Sequence, residues 1–197
     1  MARRPPRRYL SRRVDTREVR ETFLIVCEGE QTEPNYFSSF RVPREIVTVH
    51  GCGANTVSLV RKALELHERD KYDQVWCVFD RDSFPLRNFN QALELAKQTS
   101  IRVAYSNEAF ELWYLLHFNY YDAAMSRADY CNMLSKLLES KYRKNRDDMY
   151  DLLRSRQADA MRNAKRLLEQ YNPSNPALDN PSTTVHLLVE ELNRFIF

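Results

Sequence analysis

The sequence predicts an α/β protein built on a mainly parallel sheet of about four strands with flanking helices, extended at its C-terminal end by further helices. Two observations carry this. Short β-rich apolar runs, TFLIVC (22–27), EIVTVH (45–50), QVWCVF (74–79) and IRVAYS (101–106), alternate with amphipathic helical stretches. The first and third runs are continuously apolar rather than alternating, as strands covered on both faces are.

After the first run, EGEQTEP contains Gly29 and Pro34, which stop the strand, and NYFSSF starts a helix at Pro34. The second run is followed by the turn GCGA and by Asn55, a cap for a helix with Val57, Val60, Leu64 and His67 on one face. DRDSFP ends the third run, and FNQALELAKQ is the next helix. NEAFELWYLLHF (107–118) reads as one helix, apolar nearly all round and therefore buried, with Glu108 and Glu111 a turn apart on a shared face. From Ser126 onward only helices are expected: one near 127–140, a charged stretch, the loop NPSNPALDNPS and a last helix capped by Ser182. The organisation is then a flexible basic arm over 1–20, an α/β domain over 21–122, and a helical extension over 123–197 packed on it.

The 197 residues suffice for one such domain with an appendage. Only 3 glycines imply short or helical connections. No window approaches the twenty or so apolar residues of a membrane span, and the basic start lacks the apolar stretch of a signal peptide, which places the protein in the cytoplasm. Cys27, Cys52, Cys77 and Cys131 form no CxxC pair and read as reduced thiols. The net charge is +3, with the excess concentrated at the start, where Arg3, Arg4, Arg7, Arg8, Arg12 and Arg13 suit a phosphate backbone. A solvated tail explains them equally well.

In an open parallel sheet the loops after the strand ends form the functional crevice. Glu28 directly follows the first run, Asp80 ends the third and Asp82 comes two residues later, so three carboxylates can meet at one sheet edge. Hard oxygen donors of this kind suit Mg²⁺ or Mn²⁺, and their repulsion calls for a cation or a partner such as Arg81. The competing reading is that each acid caps a helix and that D-x-D is a chance pattern. His50, His67, His117 and His186 read as packing or capping residues, with His117 at most supporting a site from behind. No phosphate-cradling glycine motif is present. Between Lys141 and Arg166 many cations stand beside Tyr142 and Tyr150, but the interleaved Asp147, Asp148, Asp151 and Asp159 favour a solvated helix pair over a nucleic-acid grip.

A Glu after the first strand and a D-x-D after the third resemble the Toprim fold of topoisomerases, bacterial primases and OLD-type nucleases. VCEGEQTEPNYF, VFDRDSF and NEAFELWYLLHF, in this order, resemble more closely the three signature blocks of the RloB family, the AbiL type of abortive-infection component. The resemblance covers about the first 120 residues and weakens beyond them. It implies that Glu28 is the Toprim glutamate, that Asp80 and Asp82 are the metal-binding aspartates, and that Glu33 is a further acidic ligand. In the third block it points to Asn107, Phe110, Glu111 and Trp113, although Glu108 and Ala109 depart from a less acidic pair expected there.

The implied activity is phosphodiester hydrolysis of RNA or DNA. Two ions about 4 Å apart would be shared among Glu28, Glu33, Asp80, Asp82 and Glu111, with Arg81, Asn107 and His117 behind them. The implied role is effector in prokaryotic defence against phage, restrained by an AAA- or ABC-type ATPase, and a homo-oligomer is compatible with it. Nucleotidyl transfer or strand passage lacks the zinc motif and nucleophile domain it would need. The rival of another class is a noncatalytic assembly module whose acids bind a structural cation or an arginine of the ATPase.

Overall fold

The computed structural model describes residues 21–43, 45–53, 56–82 and 85–196. Its elements are β1 (Phe23–Cys27), α1 (Thr32–Ser38), β2 (Val47–Gly51), α2 (Thr56–Asp70), β3 (Gln74–Asp80), α3 (Leu86–Gln98), β4 (Arg102–Asn107), α4 (Glu111–Leu116), α5 (Arg127–Leu137), α6 (Met149–Leu153), α7 (Gln157–Glu169), β5 (Ser182–Thr183) and α8 (Val185–Asn193). The strands form one sheet in the order β2-β1-β3-β4-β5; β1 to β4 are parallel and β5 runs antiparallel to β4.

The runs of β1 and β3 are continuous because both faces of the sheet are covered there, whereas β2 at the edge is only half-buried. Side chains alternate across a strand, so Ile25, Cys27, Trp76 and Val78 enter one core while Leu24, Val26, Cys77 and Phe79 enter another. The second core is closed by Leu59, Val60 and Ala63 of α2 and Phe89 and Ala92 of α3. The first is closed by α1 and by the C-terminal helices, through Tyr36, Phe37, Trp113, Leu134, Leu167 and Leu188. Helix α1 therefore lies on one face and α2 on the other, and the chain reverses its direction of strand addition beside β1. That reversal opens a crevice between the C-terminal ends of β1 and β3.

Several expectations are corrected. Helix α1 begins at Thr32 rather than Pro34; the proline sits in the first turn, where its missing N–H has no helical partner to lose. The buried stripe of α2 is Leu59, Val60, Ala63 and Leu66, with Val57 and Leu64 only partly covered. The Asn55 cap lies outside the described residues.

The segment 107–118 is not one helix: Asn107 ends β4, and α4 runs only from Glu111 to Leu116. Glu108 therefore precedes the helix and does not share a helical face with Glu111. Ser126 does cap α5, through a capping box with Asp129, but the helix stops at Leu137. Nor is the segment after Ser126 purely helical. Ser182 lies in β5, pairing with Asn107, and α8 starts after Thr184. The sheet thus has five strands rather than about four.

Cys27 and Cys77 are buried free thiols. Among the described residues no helix is long and apolar enough to cross a membrane.

Candidate functional site

The ends of β1 and β3, the first turns of α1 and α4, and the start of α5 enclose a cleft of ≈ 570 Å³ whose lining includes Glu28, Glu33, Asp80, Asp82 and Glu111. The register explains the meeting of the first two elements. Cys27 pairs with Val78, so the Glu28 N–H continues the ladder to the Val78 carbonyl at 2.9 Å. The Glu28 carboxylate in turn accepts the Asp80 N–H at 3.1 Å. Glu33 is carried in by the first turn of α1 and is buried. It lies over Gly29, where a Cβ would stand 2.3 Å from its Oε2. Glu111 is buried at the start of α4 and accepts the Tyr142 hydroxyl at 3.3 Å.

These acids strain one another electrostatically. Burial pushes the Glu28 carboxyl up to about 7; the Asp80 N–H bond opposes the shift, Asp82 and Glu33 add to it, and Arg127 opposes it. Burial also raises Asp80 well above the ordinary carboxylate range, with Glu33 adding and Arg127 opposing. Glu33 is raised by burial and by Glu111, against Lys144 and Arg127.

The cation that balances this cluster is Arg127, whose Nη2 donates to Asp80 Oδ2 at 2.9 Å and lies 3.8 Å from Asp82 Oδ2. Sequence reasoning did not find it, nor Lys144, which also lines the cleft. A signal existed: Arg127 is the first residue of α5, an end where the helix dipole disfavours cations, so nearby carboxylates had to favour it.

The donor set is oxygen-only, with Glu33 and Glu111 buried and Glu28, Asp80 and Asp82 half-buried, and it is short of positive charge, which fits a hard divalent cation. Among the described residues no group of three or more His, Cys, Asp or Glu side chains is arranged to hold an ion. Room for an ion between Asp80 and Asp82 requires Arg127 to withdraw.

The remaining named residues lie elsewhere. Arg81 donates through Nε to the Ala177 carbonyl at 3.1 Å and through its guanidinium to the Asp82 carbonyl. Asn107 is buried and donates to the Asp179 carbonyl at 2.8 Å. Both tie the strand ends to the loop before β5. His117 is buried, with Nδ1 2.9 Å from the Trp113 carbonyl, and burial pushes its pKa down to about 4. It does not line the cleft. Arg3, Arg4, Arg7, Arg8, Arg12 and Arg13 lie outside the described residues.

The family profile described as RloB-like protein matches residues 23–192. No curated protein and no solved structure matches the chain. The match runs from β1 to α8 and takes in every acid of the cleft, and on that span the chain belongs to the RloB-like family.

Proposed function

We propose that the chain is a metal-dependent, Toprim-like nuclease that hydrolyses phosphodiester bonds of RNA or DNA as an effector in prokaryotic anti-phage defence. The observation that carries this reading is the gathering of Glu28, Glu33, Asp80, Asp82 and Glu111 around one cleft at the switch point of the sheet. Membership in the RloB-like family is consistent with a defence-related protein.

On this reading Asp80 and Asp82 hold the first Mg²⁺ or Mn²⁺, and Glu33 with Glu111 recruits a second. When bound, such ions lower the pKa of an attacking water and stabilise the leaving oxygen. Glu28 would bridge the first ion or serve as the acid/base that exchanges a proton with the attacking water. Arg127, released from Asp80, is left beside the substrate phosphate. Control by an AAA- or ABC-type ATPase in the cytoplasm belongs to the same proposal.

A specific observation favours a second reading. Arg127 of the chain itself pairs with Asp80 and Asp82, so these acids accept a guanidinium, the contact a noncatalytic assembly module would make with an arginine of the ATPase. The two readings separate when purified protein and its Asp80→Ala variant are incubated with labelled tRNA, single-stranded DNA and duplex DNA, in Mg²⁺ or Mn²⁺ and then in EDTA. Cleavage that needs both metal and Asp80 supports the nuclease. Metal binding without cleavage, even with the ATPase added, supports the module.

A further inference from the structure

The cleft has two chemically different sides. Its lining carries six carboxylates, with Glu30 joining the five above, against two cations, Arg127 and Lys144. A phosphodiester approaching so many carboxylates is repelled, so a polyanion needs a row of positive charge at the mouth of the cleft to come within reach.

The connection between α5 and α6, residues 138–148, brings Lys144 into the lining of the cleft and carries the exposed Lys141 and Arg143 beside it in the chain. Its backbone is tied to the site at several points. The Thr32 hydroxyl donates to the Lys144 carbonyl at 3.1 Å, and the Tyr142 N–H donates to Ser135 Oγ at 3.0 Å. The buried Tyr142 reaches inward to Glu111. Lys141, Arg143 and Lys144 remain exposed.

The acids interleaved with these cations in the sequence do not neutralise them in space. Asp148 pairs with Arg146 at 2.6 Å, Asp151 with Arg41 at 3.1 Å, and Asp159 with Arg162. Among the described residues Lys141, Arg143 and Lys144 make no ion pair, and Asp147 is the one acid of that run left unpaired. Folding has sorted a mixed-charge segment into ion pairs and three cations without an ion pair, of which Lys144 acts on Glu33 across the cleft. The sequence reading expects a solvated helix pair over this stretch; the helices are α6 and α7, and the three cations are exposed on the connection before them.

We propose that residues 141–144 form the backbone-binding rim of the cleft, where Lys141, Arg143 and Lys144 take the phosphates of a nucleic-acid strand on one side of the bond presented to the acids. Three residues of extended chain span at most about 10 Å, enough for neighbouring phosphates of one strand. The inference rests on the nuclease reading for its substrate, but its test needs no cleavage.

Fluorescein-labelled single-stranded RNA, single-stranded DNA and duplex DNA are titrated in EDTA at several salt concentrations. The full chain is compared with the Lys141→Ala/Arg143→Ala/Lys144→Ala variant. The control is Arg154→Ala/Arg162→Ala/Lys165→Ala, which removes the same formal charge from residues after α6 and in α7, outside the connection that carries Lys144 into the cleft. A triple glutamine version of the rim variant, checked by its melting temperature, guards against loss of fold.

The rim variants should bind at least about tenfold more weakly, with the salt slope for single strands reduced by about 2, while the control changes little. Unchanged binding by the rim variants, an equal loss in the control, or no binding of any probe by the parent chain overturns the proposal. Asp80-dependent cleavage with an unaltered rim variant sinks this inference and leaves the nuclease standing. Rim-dependent binding without cleavage does the reverse.

Discussion

Arg127 Nη2 lies 2.9 Å from Asp80 Oδ2, so the acid at the end of β3 is bound to the first residue of a helix 47 positions later in the chain. The pair holds the positive charge of the cleft where an ion bound by Asp80 and Asp82 would lie. On the proposed reading, arginine and metal would compete for the same oxygens.

Arg127→Gln should lower the melting temperature in EDTA, because the buried acids lose their counter-charge. It should also tighten Mn²⁺ binding by about tenfold, or ~1.4 kcal/mol. Calorimetric titration with Mn²⁺ measures this; a weaker affinity would mean that Arg127 organises the site rather than competing for it.

Asp80→Asn removes a carboxylate whose ionisation is opposed by burial and by its acidic neighbours. In EDTA at neutral pH the variant should be as stable as the parent or more stable by ~1 kcal/mol, despite losing the charged pair with Arg127. Mn²⁺ should raise the melting temperature of the parent and leave that of the variant unchanged. Thermal melts with and without Mn²⁺ check both, and an undiminished metal response would remove Asp80 from the ligand set.

Two glycines distinguish positioning of the site from stability of the fold. At Gly29 an added Cβ meets the end of the Glu33 side chain, whereas at Gly51 it meets the Gly29 carbonyl at 2.8 Å and the Glu30 Cα at 2.9 Å. A side-chain end can swing away and backbone cannot. Gly29→Ala should cost ~1 kcal/mol yet displace Glu33 and weaken Mn²⁺ binding, while Gly51→Ala should cost ~2–3 kcal/mol. Denaturant unfolding and metal titration of both variants give the comparison.

His117 should make stability depend on acid. Burial lowers its folded pKa to about 4 from an ordinary 6.5. Between those values the unfolded chain binds a proton that the folded chain refuses, so its contribution is complete above pH 6.5 and lost as pH falls towards 4. The loss is on the order of 2–3 kcal/mol. Glu28, whose folded pKa is raised, acts in the opposite sense. The readout is therefore the difference in unfolding free energy between the parent and His117→Gln, which should shift in favour of the variant as pH falls; a constant difference would show that His117 does not titrate this way.

Much of the α/β sheet could be read directly because its determinants are local. The β-branched and aromatic apolar runs FLIVC and VWCVF, bounded by turn residues or acids, are buried strands. The acids of the cleft were legible for the same reason: they sit directly at strand ends or in the helix turns that follow, and parallel strands all deliver those positions to one edge. Elements whose nature depends on distant partners were misread. Ser182 and Thr183 are two polar residues that become a strand only because Ser106 and Asn107 leave an edge for them to pair with. Helix α4 is shorter than its apolar stretch because Asn107 belongs to β4 and bonds to the Asp179 carbonyl.

By itself the sequence determined the mainly parallel sheet, the burial of its strands and the chain positions of the acids, since each follows from patterns a few residues long. Tertiary structure alone decided that Arg127 would neutralise Asp80, that Tyr142 would reach Glu111, and that Lys141, Arg143 and Lys144 would stand unpaired while the acids beside them found partners. Those outcomes are set by the Coulomb energies and desolvation of groups tens of residues apart, and no local pattern encodes a distance across the fold.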